Sequence, residues 1–278
     1  MFSSAGFSAL REQILDHLLE IEAPMAALFP FIRKGTVPRR ADDPVYRGRL
    51  AYTQALRRFV YNPAVFNEVL WDPELKERFF RVFGYRGNLD FTLYPDAWIR
   101  DLALPGFEIG KRVYLADGIV LGTNQVSPDQ TKLRVGPIAI GDDTIFDQDC
   151  KVGLGTTIGR DCKFGISSNV GLMSTVGDGV VVSALAAIGH FVTVGRDVVF
   201  GEQCHIGNKS RVEDGARIPA RTYVPAKSLV RKDGAIVPLY PSEVPERLEA
   251  DPERAPLAPT SARWSAASVS VRSSRSAV

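Results

Sequence analysis

Residues 140–170 read IGDDTIFDQDCKVGLGTTIGRDCKFGISSNV, and every sixth residue from Ile140 is large and apolar: Ile140, Phe146, Val152, Ile158, Phe164 and Val170. The same step continues through Val176, Val182, Ile188, Val194, Phe200, Ile206, Val212, Ile218, Val224 and Val230. All sixteen positions are apolar, and ten are followed directly by glycine. Two places before each one the residue is nearly always small, as at Thr144, Cys150, Thr156, Cys162, Ser168, Ser174, Ala186, Cys204 and Ser210. Upstream the ladder extends through Ile109, Leu115 and Leu121. A one-residue slip then falls around GTNQVSPDQTK (122–132), which marks a bulge or short loop.

A period of six with two inward positions fits neither a helix at 3.6 residues per turn nor a plain strand at 2. Short strands joined by tight turns do fit it. Three such units make one coil of about 18 residues, and coils stack about 4.8 Å apart like neighbouring strands. The large residue fills the interior of a prism, the small one packs at a crowded corner, and the glycine eases the turn that follows.

This is the hexapeptide repeat, and residues 107–232 resemble the left-handed parallel β-helix family. The expected fold is mainly β: a left-handed parallel β-helix over 107–238, preceded by an α-helical and irregular region over 1–106. Residues 239–278, rich in Pro, Ala, Ser and Arg and without apolar periodicity, read as a largely flexible tail.

In the N-terminal region, FSALREQILDHLLEI places apolar residues 7, 10, 14, 18 and 21 on one helical face, with Pro24 as its stop. A second helix, VYRGRLAYTQALRRFVYN, ends before Pro63. A third opens at Asp72 as N-cap and Pro73 at the first helical position, and Gly84 closes it. The position of this region suggests that it packs on the first coil, covers its open edge or forms part of an acceptor pocket.

Among 278 residues, 45% are apolar and 24% charged, the mix of a soluble globular protein. A net charge of +2 gives no overall electrostatic case for a nucleic-acid partner. No apolar run is long enough for a membrane span, and the N-terminus lacks the apolar stretch of a signal peptide, so a cytoplasmic protein is expected. All three cysteines take the small inward position, where they fill the core. Cys150 and Cys204 lie three coils apart, roughly 14 Å by strand spacing, too far for a disulfide or a shared metal. Phe146, Phe164 and Phe200 share one face and read as an aromatic core stack.

Three histidines remain. His17 lies on the first helix as a core or interface residue. His190 follows the inward Ile188 and Gly189, so it points outward at a corner of the prism. His205 directly precedes the inward Ile206, one coil on, and also faces outward. A γ-class carbonic anhydrase site on this fold needs three histidines and the repeat has two, so no metal is expected.

The resemblance implies more. Many hexapeptide proteins are acyltransferases with acyl-CoA or acyl-carrier-protein donors, assembled as homotrimers with active sites in the grooves between prisms. IGH at 188–190 is similar to their aliphatic, small, catalytic-histidine pattern. His190 would then act as general base toward a hydroxyl or amine acceptor, and the backbone N–H of Asn208, eighteen residues on, would hold the oxyanion. The sequence departs from relatives that follow the histidine with an acidic residue, since Phe191 stands there. RIPARTYVPAKSLVRKDGAIVP (217–238) resembles the closing segment of such enzymes, whose last coils meet the CoA arm. Lys227, Arg231 and Lys232, with Lys209 and Arg211 one coil earlier, would face its phosphates. The second reading is a non-catalytic β-helical scaffold or binding module.

Overall fold

The computed structural model describes residues 4–97, 99 and 103–239. The tail expected over 239–278 lies outside the described residues, apart from Leu239.

The repeat builds a three-faced prism of parallel strands. One face stacks Phe107–Ile109, Ile138–Ile140, Thr157–Ile158, Thr175–Val176, Thr193–Val194, Arg211–Val212 and Ser228–Val230. A second stacks Phe91–Leu93, Val113–Leu115, Ile145–Phe146, Lys163–Phe164, Val181–Val182, Val199–Phe200 and Arg217–Ile218. The third stacks Val120–Leu121, Lys151–Val152, Asn169–Val170, Ala187–Ile188, His205–Ile206 and Tyr223–Val224. From Ile140 onward each residue pairs with the one eighteen positions later, as in Val170 with Ile188 and Ile188 with Ile206. The sixteen apolar rungs are all buried. This is the hexapeptide-repeat left-handed β-helix.

The turns correct the expected role of the glycines. Left-handed φ falls three residues after each rung from Ile140 to Val224, three times at glycine and otherwise at non-glycine residues such as Asp161 (56°), Met173 (56°), Phe191 (58°) and Lys209 (60°). Each costs about 1 kcal/mol, which coil stacking must offset. The glycine directly after a rung answers a different need. A Cβ on Gly189 would stand 2.6 Å from Asn208 Oδ1 and 2.7 Å from the Ile206 carbonyl oxygen. Coils approach too closely there for any side chain.

The small corner residues tie one coil to the next. Thr144 Oγ1 donates to the Gly159 carbonyl at 2.9 Å, Ser174 Oγ to Gly189 at 2.9 Å and Ser210 Oγ to Pro225 at 3.1 Å. The three cysteines do the same more weakly, with Cys162 Sγ 3.2 Å from the Gly177 carbonyl. Burial pushes all three thiols up. The aromatic stack is shorter than expected. Phe146 and Phe164 stack at 4.5 Å, but Val182 occupies the next rung of that face and separates Phe200 from them.

The slip at 122–132 is neither bulge nor short loop. After Leu121 the chain leaves the prism as a β-hairpin, Asn124–Val126 against Lys132–Val135, and returns at Ile138. Strand Gly35–Pro38 pairs with it antiparallel, giving a three-stranded sheet outside the prism.

The N-terminal region folds as four helices: α1 (Ser4–Ala26), α2 (Pro44–Val60), α3 (Pro63–Trp71) and α4 (Pro73–Val82). Pro24 does not stop α1, which carries it in its last turn and ends two residues later. There a missing N–H costs one terminal hydrogen bond and no interior turn. Pro63 ends α2 and also opens α3, with Asn62 as N-cap. Asp72 caps α4 by accepting from the Glu74 and Leu75 N–H groups at 2.8 and 3.0 Å, and Gly84 follows its end at φ 85°. Phe59, Phe66, Phe79, Phe80 and Phe83 pack edge-on between these helices, with Phe79 and Phe83 tilted against each other. The prism reaches back past residue 107, because Phe91–Leu93 already pairs in parallel with Val113–Leu115. Tyr85 Oη donates to the Ile109 carbonyl at 3.3 Å and joins the two parts.

Candidate active site

One edge of the prism follows the third face. Its turn residues, two and three places after each rung, run Leu172–Met173, His190–Phe191, Asn208–Lys209 and Ala226–Lys227. Neighbouring pairs are about 4.8 Å apart along the axis. The hairpin leaves the prism from this same edge, after Leu121 and Gly122.

His190 is exposed, as its register requires. Its ring is nevertheless tied down. Nδ1 accepts the Leu172 N–H at 3.0 Å, and the His190 N–H donates to Asn208 Oδ1 at 2.8 Å. Ser174 Oγ clamps both ends of this turn, donating to the Gly189 carbonyl and accepting the Val192 N–H at 3.1 Å. Asp178 and Asp214 make the same link on the edge after the first face, accepting the Arg160 and Arg196 N–H groups at 2.8 Å each. A ring nitrogen that accepts a backbone N–H carries no proton, so the neutral imidazole holds its proton on Nε2. This bond was not among the expectations, although the eighteen-residue column Leu172–His190–Asn208 is visible in the sequence. Leu172 and Ser174 are the positioning residues that sequence reasoning missed.

The column ends at Asn208. The residue eighteen on is Ala226, which offers no side-chain acceptor, and among the described residues the Asn208 N–H meets none.

The expected donor-binding cations divide. Lys209 and Lys227 lie on the His190 edge, in the column of Phe191. Arg211 projects from the adjoining first face, on strand Arg211–Val212. Arg231 and Lys232 follow the rung Val230 and sit on the next edge, where the Lys232 N–H donates to Glu213 Oε2 at 2.9 Å. The five do not form one cluster, because a single face of a three-sided prism separates the two edges. His205 projects from the third face and stacks on Tyr223 at 5.3 Å and 5°. His17 stacks on Phe59 at 5.6 Å, far along the chain from this edge. Among the described residues no three His, Cys, Asp or Glu side chains converge as a metal site, and no helix is long and apolar enough to cross a membrane.

At the hairpin's root, Arg49 of α2 is buried and only 4% exposed. Its Nη2 donates to Asn124 Oδ1 at 2.7 Å. Desolvation pushes its guanidinium down to about 10. Nothing local in the sequence marks this residue, since its partner lies on a strand far along the chain.

The strand pairing and six-residue register define the class: a hexapeptide-repeat β-helix with a hairpin on the edge that carries His190. No protein-family model matches the chain, and no curated protein matches it. Among solved structures it is similar to the UDP-N-acetylglucosamine O-acyltransferase LpxA of Moraxella catarrhalis, with 14% identity over 54% of this chain and 70% of that chain, at a TM-score of 0.34. It is also similar to LpxA of Acinetobacter baumannii, with 15% identity over 52% and 70% and a TM-score of 0.23. A further similarity is to the acetyltransferase domain of PglB from Neisseria gonorrhoeae in complex with acetyl coenzyme A, with 13% identity over 60% and 64% and a TM-score of 0.21.

Proposed function

We propose that the protein is an acyltransferase of the hexapeptide-repeat type. It would move an acetyl or other short acyl group from acyl-CoA, or from an acyl carrier protein, to a hydroxyl or amine acceptor. One observation carries this reading: an exposed imidazole and a backbone N–H without an acceptor lie in adjacent coils of one column. A tetrahedral centre seated there meets both. His190 takes the acceptor's proton as that atom attacks the thioester carbonyl, and the Asn208 N–H stabilises the oxyanion. Lys209 and Lys227 on the same edge meet the donor's phosphates. The groove is completed by a neighbouring prism of a homotrimer, a reading supported by the exposed apolar side chains Ile166 (49%) and Leu185 (55%) on another edge.

As a base, His190 must work through Nε2, which is free only when Nδ1 carries the proton. The ring must first release the Leu172 N–H. Breaking one exposed hydrogen bond costs about 1 kcal/mol, a small fraction of a catalytic barrier. The Leu172 bond also favours the second reading, a non-catalytic β-helical binding module in which His190 only ties coils together.

His190→Asn separates the two. Asparagine already fills the next place in the column and supplies the same acceptor, so H190N keeps the fold. With acetyl-CoA and an acceptor panel, thiol release is expected to fall by roughly 10²-fold or more in H190N, with the melting temperature unchanged. Unchanged turnover in H190N removes the base role. No CoA binding by calorimetry and no thiol release from wild type point to a carrier-protein donor or to the binding module, which a pull-down for protein partners then separates.

A further inference from the structure

We propose that Arg49 and the foot of the hairpin form a binding site for a compact oxyanion, a carboxylate or phosphate group, separate from the His190 site. Arg49 lies on the buried face of α2, beside Val45, Tyr52 and Leu56, where the helical pattern calls for an apolar residue. A guanidinium has five N–H donors and no acceptor. One of them goes to Asn124 Oδ1 at 2.7 Å. Nε and Nη1 are buried and meet no acceptor among the described residues, and no carboxylate there pairs with the charge. Buried cations are otherwise paired, because an uncompensated one costs far more than a missing hydrogen bond. Carboxylate or phosphate oxygens supply what is lacking, both acceptors and counter-charge.

The surroundings have the matching sign. Arg33, Lys34, Arg39 and Arg40 flank strand Gly35–Pro38, whose partner strand carries Lys132 and Arg134 opposite Pro38 and Thr36. Of the nearby acids, the buried Asp43 accepts the Val45 and Tyr46 N–H groups as the N-cap of α2, Asp42 is paired with Arg40 at 3.4 Å, and Asp129 is taken up by Ser127 and Thr131 within the hairpin turn. This rim concentrates anions at the hairpin. The bound group bridges α2 to the hairpin and thereby fixes the hairpin relative to the prism edge from which it grows.

The test is thermal unfolding of the full chain at constant ionic strength, with sodium chloride exchanged for inorganic phosphate in one arm and for succinate in the other. At least one anion is expected to raise the wild-type melting temperature along a saturating curve, and the arm that responds identifies the group. Arg49→Met keeps length and apolarity without charge. It should show only the weak, non-saturating rise that excluded anions give any protein. If R49M does not fold, Arg49→Lys serves instead, with a midpoint concentration at least tenfold higher than wild type. The proposal is overturned if neither anion moves the wild type in a saturating manner, or if the variant responds with the wild-type midpoint. H190N should respond like wild type, so this result is independent of acyl transfer.

Discussion

At the scale of single residues, each position on the His190 edge is constrained from the coil above and the coil below. Gly189 has no room for a methyl group, so Gly189→Ala is expected to destabilise the fold by about 1–3 kcal/mol, measured as a lower urea midpoint with unchanged slope. Phe191 shows the opposite logic. Its backbone takes the left-handed turn that recurs at six-residue steps, so its identity is decided by the turn as well as by any chemistry. The exposure of His190 was legible because Ile188 fixes the register. Its hydrogen bond to Leu172 was not, because an imidazole in that column can either accept a coil-to-coil N–H or swing free, and only the folded turn decides. Arg49 was illegible for a simpler reason. Its one acceptor sits on a hairpin that the sequence presented as a slip of a single residue.

At the scale of elements, the edges differ from one another more than the faces do. After the first face, Arg160, Asp178, Arg196 and Asp214 alternate in charge from coil to coil, with Arg160–Asp178 and Arg196–Asp214 contacts of 3.4 and 3.3 Å. The backbone N–H groups and arginines hold both carboxyls below their ordinary range, and the Asp129 carboxyl in the hairpin turn is held at about 2 by Ser127 and Thr131. A carboxyl depressed in the folded state stabilises the fold above its unfolded value and loses that contribution as pH falls through the folded one. Urea midpoints should therefore be level above about pH 5 and decline between about pH 4 and 2. Asp178→Asn and Asp214→Asn together, which keep an acceptor without a titrating proton, should flatten part of that decline. The six-residue rungs gave every strand of the regular stack its place, since each rung is apolar for one reason only. Helices were less legible at their proline boundaries. Pro63 both stops α2 and starts α3, and a sequence reading that assigns it one role loses a helix.

At the scale of the whole molecule, the prism is a one-dimensional stack in which each coil touches only its neighbours, while the N-terminal helices pack around their phenylalanines and share one continuous apolar core with the first coils. Cys150, Cys162 and Cys204 sample successive parts of the stack, each buried with its thiol pushed up. Thiol-reactive probes should find all three slow in the native state. Cys204, in the later coils, should react first if the stack opens from its C-terminal end, and all three at one rate if it opens as a unit. Mass spectrometry of alkylated peptides reads the order directly.

The hairpin and His190 stand on one edge, separated by whole coils and by nothing else. The gap between them can therefore change only in fixed increments, eighteen residues of sequence for about 4.8 Å of reach. Gain or loss of a coil between Leu121 and Ile188 would lengthen or shorten that gap while leaving the turn of His190 and the root of the hairpin intact. The fold thus works as a graduated ruler: the span between its two polar sites is set by counting, not by reshaping either site.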